Sequence, residues 1–314
     1  MPSTIQRIVP HLWYDKEATE AARFYVSVFP ESRVRHTSTL GETPSGDVDI
    51  VSFDIWGQEF MAFSAGPMFK LNPSISFLVN FDPLLFGEPA SREQAARRKL
   101  DEVWEKLAEG GKILMPLERY PFSERYGWIQ DRYGVSWQLI LTNPEGEPRP
   151  PIMPVLLFTG KKLGKAKAAM NRYLSVFHNA RPGTLFPYPP GQGPTEGLVQ
   201  FADFQLENQW FAVMDSAMAH DFDFNEAVSL MIKCDTQADI DYYWTLSAVP
   251  EAEQCGWIKD EFGVSWQVVP TALDDMLRSG SKDQVARVTR AFLKMKKFDL
   301  AALEEAYEKE EALA

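Results

Sequence analysis

His11 is the side chain in this sequence that is best placed to take part in acid–base chemistry. The apolar run Ile5 to Tyr14 predicts a β-strand, and strand alternation puts His11 and Trp13 on one face. An imidazole titrates near neutral pH, so His11 could act as a general base or as an orienting hydrogen-bond donor. A hydrogen-bonded, inert histidine at the rim of the strand is the alternative that the sequence leaves open. His11 is therefore the candidate catalytic residue.

Other reactive side chains lack the neighbours that catalysis requires. The remaining histidines have no acidic partner at metal-ligand spacing; they are His36, His178 and His220. Cys255 has only Lys259 as a nearby cation, so an activated thiol is not favoured. No Gly-x-Ser-x-Gly elbow and no phosphate-binding loop occur in the sequence. Neither covalent catalysis nor phosphate binding by a loop is indicated.

The composition limits the classes of protein to which the chain can belong. A formal net charge of −12 argues against nucleic acid as a partner. The two cysteines, Cys234 and Cys255, indicate a reducing compartment and no structural disulfide. The first residues do not read as a signal peptide, and no apolar window is long enough to span a membrane. We expect a soluble, cytoplasmic protein without a membrane partner.

Two parts of the chain repeat the same sequence. The run Gly127 to Gln138 returns as Gly256 to Gln267, with its Gly-Trp-Ile and Gly-Val-Ser-Trp-Gln segments unchanged. Ile8 to Tyr14 is likewise echoed by Ile152 to Phe158. Similarity at such a long spacing indicates a duplicated domain rather than a short-period solenoid.

Hydrophobic periodicity predicts the same order of elements in both copies, strand, helix and then strands. Copy one is predicted to contain strands 5–14, 33–40, 48–56, 59–64, 74–80, 112–114, 127–129 and 136–142, with helices 15–29 and 91–109. Copy two is predicted to contain strands 152–158, 197–206, 209–215, 227–233, 256–259 and 264–269, with helices 163–178 and 236–247. The pattern indicates four βαβββ units, followed by a helical tail that includes a helix from Ser281 to Lys297.

Proline-rich joins divide the chain into parts. We predict a first domain at residues 1–143, a linker at 144–151, a second domain at 152–270 and a C-terminal helical tail at 271–314. A second Pro- and Gly-rich stretch, Phe186 to Pro194, predicts a long loop inside the second domain. Strands that alternate with one helix per unit predict an α+β fold with curved, mixed sheets.

The sequence resembles the vicinal oxygen chelate superfamily, which has the glyoxalase and bleomycin-resistance fold. The resemblance is carried by Pro10 to Trp13, by Arg23 to Pro30, by the two Gly-Trp-Ile runs and by the tail from Asp283 to Leu303. The branch that it resembles is labelled 3-demethylubiquinone-9 3-methyltransferase-like and is related to phosphonate-operon proteins. Two βαβββ units form one domain in this superfamily. The resemblance therefore implies two glyoxalase-type domains in tandem.

The resemblance also implies a site on the concave face of each sheet. Metal-using members carry ligands at four strand positions, which correspond in copy one to His11, Ala62, Ser76 and Gln138. The same positions in copy two are Val155, Ala212, Ser229 and Gln267. A catalytic divalent metal prefers three or more nitrogen, carboxylate or thiolate ligands, which neither set supplies. We expect no cofactor, and a divalent metal held by His11 and Gln138 is the alternative.

These residues favour a small-molecule binding or sequestering protein. Trp13, Ser76 and Gln138 are the predicted ligand-binding residues of copy one, and Ser229 and Gln267 are those of copy two. They would orient a small, partly aromatic, neutral or cationic ligand in an apolar cup. Trp137 and Trp266 alternate with the two glutamines, so we expect their rings to pack against helices on the other face.

Two other classes of function stay open. The first is a metal-dependent glyoxalase-like lyase or dioxygenase, and the second is a purely structural or regulatory protein. The methyltransferase activity in the branch label is disfavoured, because no strand of the predicted pattern ends in a glycine-rich turn with ordered spacing. The duplication predicts pairing of the domains within one chain, with a homodimer as the alternative.

Overall fold

The computed structural model describes residues 6–191 and 195–309 and contains two mixed β-sheets with helices between them. The strands are β1 (Ile8–Tyr14), β2 (Arg33–Thr43), β3 (Gly46–Ile55), β4 (Gln58–Ser64), β5 (Ile75–Phe81), β6 (Lys112–Tyr120), β7 (Ser123–Gln130), β8 (Ser136–Leu141), β9 (Ile152–Thr159), β10 (Arg181–Pro187), β11 (Val199–Leu206), β12 (Gln209–Ser216), β13 (Val228–Cys234), β14 (Trp257–Lys259) and β15 (Ser265–Pro270). The helices are α1 (Ala18–Val28), α2 (Arg92–Ala108), α3 (Ala166–Val176), α4 (Gln237–Tyr243), α5 (Thr271–Ser279), α6 (Lys282–Phe292) and α7 (Leu300–Glu308). The start of the predicted first strand, the end of the predicted loop and the end of the predicted tail lie outside the described residues. Within the described residues, no helix is both long and apolar enough to cross a membrane.

The order of the strands shows that the sheets do not follow the sequence repeat. The first sheet, β14-β15-β13-β1-β4-β3-β2, combines the first and last units of the chain. The second sheet, β10-β11-β12-β9-β5-β8-β7-β6, combines the two middle units. At the centre of the first sheet β1 pairs antiparallel with β13, so His11 lies opposite Ser229. At the centre of the second sheet β5 pairs antiparallel with β9, so Ser76 lies opposite Val155. The α+β fold with mixed sheets is confirmed. Each sheet contains two units, one from each copy of the repeat.

Aromatic side chains fill the space between the two sheets. Helix α1 packs on β3 of the first sheet, while its Tyr25 lies 5.4 Å, between ring centroids, from Trp137 of the second sheet. In the same way, Tyr173 of α3 lies 5.4 Å from Trp266 of the first sheet. All four rings are buried. The predicted packing of both tryptophans against helices is confirmed. We call the side of each sheet that faces these helices its inner face, and the opposite side its outer face.

A buried aspartate explains why the Gly-Trp-Ile run recurs. Asp131 Oδ1 accepts hydrogen bonds from the backbone N–H groups of Tyr133 and Val135, at 2.8 and 3.1 Å, and Oδ2 accepts one from Trp137 Nε1 at 2.7 Å. Asp260 makes the equivalent bonds in the other copy. Burial raises the pKa of Asp131 to about 6 and also raises the pKa of Asp260. The repeated run is therefore a structural anchor that ties a turn to the core.

In the described part of the fourth unit no strand is equivalent to β6, and the C-terminal tail takes its place. In the described part of this unit, β14 is the first strand after α4. The backbone N–H groups of Cys255 and Gly256 donate instead to the carbonyls of Met295 and Lys296, at 2.9 and 2.8 Å. The Phe298 ring packs so closely on Gly256 that a Cβ there would overlap it. The tail therefore covers this edge of the first sheet.

Several predicted boundaries are wrong. The short strands predicted at 112–114 and 127–129 extend over Lys112–Tyr120 and Ser123–Gln130. The edge strand Arg181–Pro187 was not predicted, and the predicted loop starts inside it. Two of its residues are prolines, which lack an N–H donor and are tolerated in a strand at a sheet edge. The predicted helix 236–247 ends at Tyr243, because Trp244–Leu246 form a 3-10 turn. The predicted tail helix ends at Phe292.

Candidate ligand-binding site

His11 lies on the outer face of the first sheet, where the two ends of the chain meet. Its Nδ1 atom contacts the side-chain Nε2 of Gln267, a residue of the last strand. The same Nε2 donates to Ser229 Oγ at 2.8 Å, and Ser229 faces His11 across the β1–β13 pair. All three side chains are buried. The structure therefore brings together three predicted site residues that come from opposite copies of the repeat.

The His11 imidazole is a neutral hydrogen-bonding group. Burial lowers the pKa of His11 from its ordinary value of 6.5 to about 3, because the charged form would lose its hydration. An amide nitrogen only donates, so with the Gln267 amide in this orientation Nδ1 is the acceptor. The ring proton is then on Nε2. His11 can offer this N–H to a ligand as a donor.

Two half-buried aromatic rings, Phe63 and Trp257, lie against His11, and Trp13 and Phe69 continue this group of rings; we call the four the aromatic cluster. Phe63 stacks on the imidazole with ring centroids 4.5 Å apart, and the Trp257 centroid is 6.3 Å from that of His11. Trp13 packs edge-on against Phe63 at 4.7 Å and against Phe69 at 4.9 Å. Part of each ring is open to solvent. The cluster therefore offers ring faces and edges to a planar ligand.

On the same face, one buried hydroxyl has no partner among the residues that the structure describes. Ser265 is 1% exposed, and within the described residues its Oγ makes no hydrogen bond. Its counterpart on the second sheet, Ser136, accepts a 2.8 Å hydrogen bond from Trp128 Nε1. The equivalent Trp257 lies against His11 instead. Because an unsatisfied buried hydroxyl is unfavourable, a ligand or water that reached Ser265 would be stabilised.

The ionic groups that border this face are already paired. Glu59 contacts Lys233 Nζ at 2.8 and 2.9 Å and Arg35 Nη1 at 2.9 Å. Lys259 Nζ pairs with Glu226 at 2.6 Å. These groups therefore already neutralise one another. The face thus favours a ligand without charge, since burying an unpaired ion is costly.

The sequence leaves open whether His11 meets Gln138 or Gln267, and the structure has it beside Gln267. Ser76 and Gln138 belong to the second sheet, so they do not share a pocket with His11 and Trp13. The reason is that β1 pairs with β13 and not with β5. The partner of His11 is Gln267, the equivalent of Gln138 in the other copy. The predicted ligand-binding roles of these residues remain predictions.

The mapping of the second ligand position is wrong by one residue. Ala62 packs in the core on the inner face, and Met61 lies beside His11 on β4. The hairpin registers make Gln58 equivalent to Gln209 and therefore Met61 equivalent to Ala212, whereas the sequence mapping gave Ala62 this position. A shift of one residue in a strand moves every side chain to the opposite face.

On the outer face of the second sheet, both amide atoms of Gln138 are hydrogen-bonded within the protein. Tyr126 Oη donates to Gln138 Oε1 at 2.7 Å, and Gln138 Nε2 donates to Ser76 Oγ at 2.8 Å. Burial raises the pKa of Tyr126, so the phenol is a stable donor. Val155 occupies the position of His11 in this sheet. The hydrogen bonds of Gln138 therefore indicate a bridge between strands rather than a residue that contacts a ligand.

The donor groups do not fit the divalent metal that the resemblance implies. The four positions are occupied in the first sheet by His11, Met61, Ser229 and Gln267, and in the second sheet by Val155, Ala212, Ser76 and Gln138. An imidazole, a thioether, a hydroxyl and an amide are a poor set for such a metal, and the Nδ1 atom of the imidazole is already engaged. No group of three or more His, Cys, Asp and Glu side chains that could hold a metal occurs among residues 6–191 and 195–309.

Sequence reasoning missed Phe63, Phe69 and Trp257 as part of the site. Trp257 carried a usable signal, because Ile258 beside it packs in the core and alternation then puts the tryptophan on the outer face. Phe63 needed the correct register of β4. Phe69 lies in the loop after β4, where periodicity carries no information.

Two mixed sheets, each built from two similar units and each with candidate binding positions on its outer face, define the vicinal oxygen chelate fold. The sequence profile of the family described as 3-demethylubiquinone-9 3-methyltransferase matches residues 6–140 and 150–269. The chain belongs to this family. No curated protein matches the sequence.

Solved structures agree with this assignment. A PhnB protein from Bacillus cereus is 34% identical over 44% of this chain and 100% of its own, with a TM-score of 0.36. A mutant of glyoxalase I from Zea mays is 9% identical over 85% of this chain and 95% of its own, with a TM-score of 0.51. The first similarity supports the family, because the whole length of that protein is covered. The second shows the fold alone.

Proposed function

We propose that the protein binds a small, uncharged, planar aromatic molecule on the outer face of the first sheet. The observation that carries this proposal is the half-buried aromatic cluster around a neutral His11. The rings supply a stacking surface, and the His11 Nε2–H and the Ser265 hydroxyl supply directional hydrogen bonds. A carbonyl or hydroxyl group on the ring of the ligand would complement them.

The arrangement favours binding over acid–base catalysis. An efficient general base has a pKa near the working pH, whereas that of His11 is about 3. Its Nδ1 is occupied by a glutamine, which can orient the ring but cannot stabilise an imidazolium as a carboxylate would. In this proposal His11 therefore positions the ligand, and the catalytic role predicted from the sequence has no support in the geometry.

The enzymatic alternatives have weaker support. A metal-dependent lyase or dioxygenase would need donors that the four strand positions do not provide. The methyltransferase activity in the family description would need a cofactor site, and the mixed sheets are not the doubly wound, mostly parallel type that commonly supplies one. Elemental analysis of protein purified without chelator tests the first alternative. About one metal per chain that disappears in His11→Ala would replace our proposal with that alternative.

Ligand binding can be tested with uncharged phenols and aromatic ketones, by tryptophan fluorescence and isothermal titration calorimetry. We expect at least one compound to bind with a Kd below millimolar. His11→Val should weaken its binding about ten-fold or more, which corresponds to the loss of one hydrogen bond to a buried group. Ser76→Ala is the control, because it removes a buried polar group from the outer face of the other sheet, where valine already stands at the position of His11. Equal weakening by both variants, or no binding at all, would contradict the proposal.

A further inference from the structure

The linker between the two copies crosses the outer face of the second sheet. Asn80 on β5 anchors it there, since its Nδ2 donates to the Pro150 carbonyl at 2.8 Å and its backbone N–H donates to the Pro151 carbonyl at 2.7 Å. Residues 144–148 of the linker are exposed. The side chain of Arg149 instead turns into the sheet and is only 19% exposed.

The Arg149 guanidinium occupies a site formed by a carboxylate and an aromatic ring. Its Cζ lies 3.6 Å from the centroid of Trp210. Its Nε donates to Asp203 Oδ2 at 2.8 Å and its Nη2 to Asp203 Oδ1 at 3.3 Å. Asp203 and Trp210 are 4% and 7% exposed, respectively. Stacking on a ring together with a two-pronged bond to a carboxylate is how proteins recognise a guanidinium group.

The backbone around Asp203 is shaped for this site. Asp203 Oδ1 also accepts a hydrogen bond from the backbone N–H of Thr184 at 2.6 Å, which fixes the carboxylate. Gly183 comes directly before Thr184, and a Cβ at Gly183 would overlap both the Asp203 carboxylate and the Trp210 ring. Any other residue at this position would therefore displace one wall of the site.

The fold itself does not demand this site. In the first sheet, Glu59 stands at the position of Trp210, and Ser52 stands at the position of Asp203. There, Glu59 is neutralised by Arg35 and Lys233. The same strand positions thus support a sheet without any aromatic cation site.

The contacts that hold the linker over the site are weak. Glu147 pairs with Arg181, but both side chains are close to half exposed, so solvent screens the pair. Arg149 also donates to the Glu147 carbonyl at 2.8 Å, which is a contact within the linker. Apart from the hydrogen bonds of Asn80, the linker is therefore held in place mainly by the contacts of the Arg149 side chain with Asp203 and Trp210.

We propose that the outer face of the second sheet is a binding site for a small molecule that carries a guanidinium group, and that Arg149 occupies it as an internal competitor. A ligand of this class displaces Arg149 and releases the linker. The planar, bidentate geometry selects a guanidinium over a compact ammonium. This site is on a different sheet from the aromatic cluster, and it does not depend on the function proposed above.

The first test uses the full chain with Arg149→Ala and ethylguanidinium as the probe, measured by isothermal titration calorimetry. Uncharged ethylurea, which is similar in shape, is the control ligand. We expect Arg149→Ala to bind ethylguanidinium about ten-fold or more tightly than ethylurea, and about ten-fold or more tightly than the wild-type chain, where Arg149 competes at high effective concentration. Adding Asp203→Asn should remove the preference. No binding to Arg149→Ala, or equal affinity for both probes, would overturn the proposal.

A second test keeps Arg149 and follows the linker itself. Glu147→Gln removes the pair with Arg181 but leaves Asp203 and Trp210 in place. We expect ethylguanidinium to increase hydrogen exchange at residues 144–149, at a lower concentration in Glu147→Gln than in the wild-type chain. Exchange that stays unchanged in both chains as the probe is raised would show that Arg149 is not displaced. This result would also overturn the proposal, even if Arg149→Ala failed to fold.

Discussion

Replacing His11 with valine, the residue at its position in the second sheet, should remove a pH dependence from the free energy of unfolding. In the folded chain, burial lowers the pKa of His11 to about 3, whereas the ordinary value of 6.5 applies to the unfolded chain. Between these pH values the unfolded chain binds a proton that the folded chain does not. The stability of the wild-type chain therefore rises with pH across this window and is lost as the pH falls below 6.5.

The expected magnitude follows from the width of the window. Each pH unit below the unfolded pKa costs about 1.4 kcal/mol. Lowering the pH from about 7 to about 5 should thus cost the wild-type chain about 2 kcal/mol through His11. The pKa of Asp131 is raised to about 6, so its contribution to stability changes with pH in the opposite direction, falling as the pH rises from 3.8 to about 6. It is present in both chains, so its contribution cancels in the difference between them.

Urea unfolding followed by tryptophan fluorescence would measure the free energy of unfolding of both chains across this pH range. The wild-type advantage over His11→Val should shrink by about 2 kcal/mol as the pH falls from about 7 to about 5. His36→Val is the matched control, because it removes a histidine that is exposed on β2. A difference that stays flat with pH for His11→Val would refute the buried neutral imidazole, and with it the donor assigned to Nε2.

Three further predictions concern single side chains. Because the pKa of Asp131 is raised to about 6, the folded chain binds an extra proton between pH 3.8 and about 6, and the wild-type chain should lose about 1.4 kcal/mol of stability per pH unit as the pH rises across this range. Asp131→Asn should abolish this loss. Urea unfolding at several pH values checks it, and a pH profile like that of the wild-type chain would contradict it. Ser265→Ala removes a hydroxyl that has no described partner, so the free energy of unfolding should change by less than about 0.5 kcal/mol; a larger loss in urea unfolding would indicate a hidden hydrogen bond. Gly256→Ala should cost about 2 kcal/mol or more, because its φ is +81° and the new Cβ overlaps Phe298. In a double-mutant cycle Phe298→Ala should reduce that cost, and strictly additive effects would argue against the overlap.

Much of the fold could be predicted from the sequence, because alternation and helical spacing are local properties. The apolar faces of α1 and α3 and the inward orientation of Trp137 and Trp266 follow from spacing alone. The strand β10 escaped because Pro182 and Pro187 suppress the local strand signal, and only its place at the sheet edge makes them acceptable.

The candidate site was harder to predict, because it depends on which strands pair. The residues of β1 do not distinguish β13 from β5 as a partner, since both are apolar and carry a serine at the same position. The choice decides whether His11 meets Gln267 or Gln138. It is made by the packing of four units together, which no local pattern contains. The site of the linker residue Arg149 could not be predicted for a similar reason, because its partner Asp203 is distant in sequence.

The pairing of the first unit with the last constrains the order in which the chain can fold as it is synthesised. All strands of the second sheet lie between Ile75 and Ser216, so that sheet can close as soon as β12 has left the ribosome. The strand β1 must wait for β13, and it carries an apolar, unpaired edge until then. A nascent chain that ends after Ser216 would therefore hold a finished sheet beside an unfinished one. The strand β1 can pair early with β4 of its own unit, but it gains its second neighbour, β13, only near the end of synthesis.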